Sequence, residues 1–178
     1  MKKSIPMIAA AALVFGTAAL IIKKLLEQPL DTVPKVDLNR YLGRWYEIAA
    51  IPQRFEKGCT YTTAQYSLND DGTIAIKNSC ISKGIQRTAT GKASISDPVS
   101  NAKLNVSFFW PFSGKYWIID LASDYSYAMV GHPNRKYLWI LSRKPWMEKE
   151  TYKELLISAM SKGFDISKLK ITPQKSGD

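Results

Sequence analysis

From residue 43 to residue 143 apolar and polar side chains alternate in short runs broken by turn residues, and only after Pro145 does the spacing lengthen to that of a helix. Alternation with period two marks strands whose two faces meet different surroundings. Residues 43–51 read as a first strand, ended by Pro52, and residues 60–68 as a second, with Thr62, Ala64, Tyr66 and Leu68 on one face. Asn69-Asp70-Asp71-Gly72 is a strong turn signal, and residues 73–80 return with Ile74, Ile76 and Asn78 aligned. A loop at 69–73 sets Leu68 opposite Ile74, Tyr66 opposite Ile76 and Ala64 opposite Asn78, the register that brings apolar positions together.

Further strands are predicted over 85–95, where Ala89, Gly91 and Ala93 make a face of small residues, and over 103–109, where Leu104, Val106 and Phe108 share a side. An aromatic turn at 110–114 leads to strands over 115–121 and 127–131, and after His132-Pro133-Asn134 to a last one over 137–143 carrying Tyr137, Trp139 and Leu141 on one face. Residues 148–162 are helical by the spacing of Tyr152, Leu155, Leu156, Ala159 and Met160, with Gly163 as the stop, and 169–172 is a possible ninth strand. Eight consecutive strands followed by one helix predict an all-β fold: an eight-stranded antiparallel up-and-down barrel with the C-terminal helix packed outside. The order of Gly43 and Trp45 places a large aromatic where the first strand opens, as a plug for one barrel end.

The chain length of 178 residues suits one domain. Residues 5–22 carry no charge and are flanked by Lys2, Lys3, Lys23 and Lys24, so residues 1–24 read as a signal peptide or an N-terminal membrane anchor. A tether is expected over 25–37, the barrel domain over 38–172 and a flexible tail over 173–178. The formal charge is +10, and the four lysines beside the apolar run leave +6 on the rest, which favours an anionic neighbour such as a phospholipid surface. The basic residues are dispersed rather than clustered, so no nucleic-acid partner is expected. Export places Cys59 and Cys80 in an oxidising compartment, on neighbouring strands, as a disulfide candidate. Strict alternation sets them on opposite faces, so the bond needs a bulge or a strand-end irregularity.

Three motifs give the chain a family resemblance: Gly43-x-Trp45-Tyr46 on the first strand, Asp124-Tyr125 before the seventh, and Arg143 closing Tyr137-Leu138-Trp139-Ile140-Leu141-Ser142-Arg143. With these in order it resembles the lipocalins, in the branch of the bacterial outer-membrane lipocalins and apolipoprotein D. Tyr46-Glu47-Ile48-Ala49, Pro52-x-x-Phe55-Glu56 and Tyr66-Ser67-Leu68 match that branch more specifically. The resemblance runs from about residue 38 to 172. It implies that Trp45 closes the barrel floor while Arg143 packs across it, with Gly43, Asp124 and Tyr125 as further closing residues. Two departures stand out: Ser123 replaces the usual threonine before Asp124, and the apolar tract has no cysteine for lipid attachment.

The inward faces then line a mostly apolar cavity with polar tips. The expected ligand contacts are Ala64, Tyr66, Ile76, Asn78, Ala89, Val106, Phe108, Tyr116, Ile118, Tyr137 and Trp139, and the expected ligand is a fatty acid or lysophospholipid. Ala49, Ile74, Leu104 and Val130 fall on the same inward faces. Glu47 shares the side of Trp45, which buries a carboxyl that needs a donor, such as a tyrosine hydroxyl. No enzyme, cofactor or metal site is expected: His132 is the sole histidine and sits in a turn, Cys80 lacks a partnered base, and two cysteines 21 residues apart match no ligand spacing. The expectation is a lipid-binding transport protein, exported and associated with the cell envelope at the outer membrane or in the periplasm, as monomer or homodimer. The alternative is a membrane-surface or protein interaction module with no stored ligand, its aromatic turn 110–112 doing the contact.

Overall fold

A computed structural model of the chain describes residues 28–53, 56, 58–109 and 111–175. The expected signal or anchor segment lies outside the described residues. Nine strands run β1 (Gly43–Ala50), β2 (Cys59–Leu68), β3 (Ile74–Ser82), β4 (Ile85–Ile95), β5 (Lys103–Phe109), β6 (Phe112–Leu121), β7 (Tyr127–Gly131), β8 (Leu138–Ser142) and β9 (Lys170–Ile171). Among the described residues two α-helices join them, α1 (Leu38–Tyr41) ahead of β1 and α2 (Lys149–Ser161) after β8. Each strand from β2 to β7 pairs with the next, β8 pairs with β1, and β1 pairs back to β2, all antiparallel. The sheet therefore closes on itself as an eight-stranded barrel, with β9 added against the upper half of β1.

The β2–β3 register is the expected one, with Leu68 opposite Ile74, Tyr66 opposite Ile76 and Ala64 opposite Asn78. Higher up, Thr60 faces Ile81 while Thr63 faces Ser79, so Tyr61 and Thr62 stand against the single residue Cys80. This bulge, with Tyr61 at φ 55°, supplies the irregularity that the Cys59–Cys80 disulfide requires. A second bulge, between Glu47 and Ala49 in β1, reverses the parity of the strand. Ala49, expected to face inward, is buried instead in the outer core against α2.

Two apolar clusters follow from the alternation. One fills the barrel's closed end with Val36, Tyr41, Trp45, Ile74, Leu104, Ile118, Val130 and their neighbours. The other lies between the wall and α2, joining Ile48, Ile119, Met129, Leu138 and Ile140 to Leu155, Ala159 and Phe164. The helix docks by its buried Leu155 and Ala159, and Ser158 donates to Asp120 of β6 at 2.9 Å. Met160, expected on the docking face, is 53% exposed. Gly163, at φ 84°, ends the helix in a Schellman motif: its N–H reaches Met160 and that of Phe164 reaches Ala159. Phe164 then covers Gly131, where an added Cβ would come within 2.6 Å of its ring.

The segment expected as a tether packs on the barrel. Leu30 and Val36 are buried, Val33 N–H donates to Ile118 and Val36 N–H to Ser100. The short helix α1, which carries too few residues for a periodic signal, is capped by Asp37 through the Asn39 N–H. At the other terminus Pro173 and Gln174, expected in the tail, hydrogen-bond to β1 and β2 through Tyr61, Glu47 and Thr62.

Several floor contacts converge on Arg143. Its guanidinium lies 3.7 Å from the Trp45 ring centroid and donates to the carbonyls of Arg44 at 2.7 Å, Arg40 at 2.6 Å and Tyr41 at 3.2 Å. Trp45, itself fully buried, donates its indole N–H to Tyr41 O at 2.8 Å. Tyr125, at φ 64°, accepts the Asp37 N–H on its hydroxyl, stacks under Arg40 and is placed by the Asp124 turn. Gly43, at φ 92°, passes so close to Arg143 that a Cβ would stand 3.4 Å from its Nη1. Trp45→Ala should cost about 3–5 kcal/mol of unfolding free energy by urea denaturation, the usual range for emptying a tryptophan site. A variant with unchanged stability would show that the floor is held by something else.

Candidate functional site

Above the floor the barrel encloses a cavity of about 320 Å³ that opens at the end of the β1–β2, β3–β4, β5–β6 and β7–β8 connections. Eight of the expected contacts line it: Ala64, Tyr66, Ile76, Asn78, Val106, Phe108, Tyr116 and Trp139. Three do not. Ile118 is fully buried in the packed floor cluster, below the cavity. Ala89 is exposed, because β4 pairs with β5 only from Lys92 to Ile95 and its upper half rises past the wall. Tyr137 precedes β8 and stacks on Trp139 and against His132, outside the lining. The small-residue face of β4 makes room for protein rather than for a ligand, since an added Cβ at Gly91 would meet the Phe108 ring at 2.7 Å.

Three tyrosine hydroxyls form the layer between cavity and floor. Tyr116 bonds Tyr41 at 2.8 Å and Tyr66 at 3.1 Å. Burial pushes all three phenols up, Tyr66 to about 12, so they stay neutral and satisfy one another.

Two carboxyls reach the same cavity. Glu47, 8% exposed, accepts from Thr172 Oγ1 at 2.5 Å, so its donor is a threonine of the β9 segment and not a tyrosine. Burial raises its pKa, and the Thr172 bond opposes that rise. Glu56, from the β1–β2 loop, is missing from the sequence-based site because a loop residue has no period to place it. Burial first, and the neighbouring Glu47 second, push its pKa up to about 7 against a side-chain hydrogen bond with Trp139. The only basic residue among the described lining, Lys115, is exposed with its ammonium toward the outward-facing Trp117. Among the described residues no cluster of histidine, cysteine and acidic side chains could hold a metal, and Cys80 is committed to its disulfide.

A family model for the Lipocalin-like domain matches residues 36–174. This chain belongs to the lipocalin family. It is 45% identical to temperature-induced lipocalin-1 of Arabidopsis thaliana over 83% of its length and 84% of that protein's. It is 41% identical to the outer membrane lipoprotein Blc of Escherichia coli over 92% and 93% of the two chains. Among solved structures, insecticyanin from the tobacco hornworm Manduca sexta superposes with a TM-score of 0.66 at 26% identity, covering 84% of this chain and 86% of that one. Lipocalins are carriers of small hydrophobic ligands, generally not enzymes.

Glu56 makes stability depend on pH in a definite sense. Its folded pKa of about 7 lies above the ordinary 4.5, so the folded chain holds the proton more tightly. The contribution is complete below pH 4.5 and is lost as pH rises to about 7. Relative to Glu56→Gln, the wild type should lose on the order of 3 kcal/mol across that window in urea denaturation. Parallel pH profiles for the two proteins would mean that Glu56 titrates as an exposed carboxyl.

Proposed function

We propose that this lipocalin is a non-enzymatic lipid carrier of the bacterial cell envelope, holding the chain of a fatty acid or lysophospholipid in its barrel. The observation that carries the reading is a cavity sealed at one end by Trp45 and Arg143, open at the other, and walled by Ile76, Val106, Leu141 and aromatic rings. Each methylene moved from water into such a wall gains about 0.8 kcal/mol. The envelope is favoured by the apolar run at 5–22 with its lysine flanks, by the disulfide, and by 41% identity to a protein named an outer membrane lipoprotein. Residues 1–24 would deliver the chain there, either as a cleaved signal or as a retained anchor. Among the described residues no helix is long and apolar enough to cross a membrane.

A second reading, that the rim touches a membrane surface, has its own observation. Phe109 and Phe112, at the β5–β6 tip, are 80% and 75% exposed, and Lys83, Arg87 and Lys115 are exposed around the same opening. Aromatic and basic side chains together suit an anionic lipid interface. The two readings are compatible, since a carrier must meet the membrane it loads from.

Titration with a fluorescent fatty acid or lysophospholipid should give one-to-one binding in the micromolar range, and Val106→Trp, which fills the cavity, should weaken it about tenfold or more. Phe109→Ser with Phe112→Ser should reduce sedimentation with anionic liposomes. Liposome association without any ligand uptake would support the interaction module over the carrier.

A further inference from the structure

Among the described residues three buried side-chain polar atoms lack a hydrogen-bond partner: Glu56 Oε2, Thr62 Oγ1 and Asn78 Oδ1. All three belong to residues that line the barrel cavity. Buried polar atoms are nearly always satisfied, and leaving one bare is costly, so a group of three around one space describes a missing partner. Two of the three are carbonyl or carboxyl oxygens, and ionised carboxylates accept only. Thr62 is 8% exposed, so bulk water does not reach its hydroxyl freely. Glu47 adds a second carboxyl to the same wall, its Oε1 held by Thr172.

We propose that the cavity selects amphiphiles whose head is a primary ammonium over those whose head is a carboxylate, the ammonium sitting among Glu56, Asn78 and Thr62. The inference rests on the carrier reading and narrows its ligand class. The three N–H donors of an ammonium match three unpartnered oxygens, and its charge offsets Glu56 and Glu47. A carboxylate in the same place would bring a third negative group and no donor. The cation that could receive it, Lys115, sits over Trp117 on the outer face. Glu56 comes from the loop at the open end, so the head stays near the mouth while the alkyl chain runs toward Ile76, Val106 and Leu141.

The proposal has a sign with respect to pH. The groups facing Glu56 are Glu47 from β1, Tyr66 from β2, and Trp139 from β8. Burial and Glu47 hold Glu56 near pKa 7, and an ammonium beside it favours its ionised form. Ammonium binding therefore expels the proton and strengthens as pH rises through 7, whereas carboxylate binding weakens over the same range.

The test is isothermal titration calorimetry of the full chain with dodecylamine and dodecanoate, and with lysophosphatidylethanolamine and lysophosphatidylglycerol, at pH 6, 7 and 8. Dodecylamine should bind about tenfold tighter than dodecanoate at pH 8, and Glu56→Gln, which keeps the size of the side chain, should erase the difference. On the wild type alone, dodecylamine binding at pH 7 should release about half a proton, read from the buffer dependence of the heat; this measurement decides the matter if the variant does not fold. Preference for the ammonium partner in both pairs assigns an aminophospholipid, and preference in the first pair only assigns a simple amine. Equal affinities, or a tighter carboxylate, would overturn the inference and leave the carrier standing. No binding by any of the four would remove the carrier reading and the inference with it.

Discussion

The contact between Arg143 and Trp45 is the constraint on which the rest of the molecule depends. A barrel wall made of one sheet leaves two open ends, and a dry interior requires that one of them be sealed. Trp45 alone would present a ring face to solvent. Arg143 lies over that face and donates its N–H groups to the carbonyls of Arg40, Tyr41 and Arg44, at the end of α1 and the start of β1. A lysine could supply the charge but not a planar group that stacks and bonds three carbonyls at once. Closure of the floor and docking of the N-terminal segment are thus one event.

Because the floor is sealed, hydrogen bonding inside the barrel becomes informative. The layer of Tyr41, Tyr66 and Tyr116 meets its own needs, three hydroxyls sharing two bonds in a space where no ionised phenol is stable. Nothing in that layer asks for a ligand, and its neighbours Ile118 and Ala93 are packed solid. One level up the balance changes. Glu56, Thr62 and Asn78 carry polar atoms that the protein does not answer. The boundary between packed interior and open cavity therefore falls between two rings of polar residues, satisfied below and unsatisfied above.

The alternation of the sequence was enough to place every barrel strand and the register of β2 on β3, because Asn69-Asp70-Asp71-Gly72 leaves no freedom in the turn and a slip of one residue would turn Tyr66 and Ile76 out of the core. What alternation could not show was where it fails. A bulge inserts one residue without any change in composition, so Ala49 reads as inward until Ile48 is seen to be the extra residue, and Cys59 and Cys80 read as facing apart until Tyr61 and Thr62 are seen opposite one cysteine. The lining suffers the same limit in another form. Parity says which way Ile118 and Ala89 point but not how high they stand, and height decides whether an inward residue is floor, cavity or rim. Glu56, on a loop, had neither parity nor height to betray it.

The bulge in β1 also explains how a carboxyl can occupy the barrel wall at all. Below it, from Gly43 to Tyr46, β1 pairs with β2; above it, Ala49 and Ala50 pair with β9 instead. Glu47 stands at the exchange, where one partner strand leaves and the other arrives. Here the incoming segment brings the Thr172 side-chain hydroxyl to Glu47 Oε1, while Gln174 bridges Glu47 O and Thr62 O across the gap. Thr62, in the neighbouring bulge of β2, keeps an unanswered hydroxyl on the cavity side. The switch of partners in the wall is therefore what admits the Glu47 carboxyl to an otherwise apolar strand face, and it does so through strand pairing, which no residue near the cavity reveals by its own chemistry.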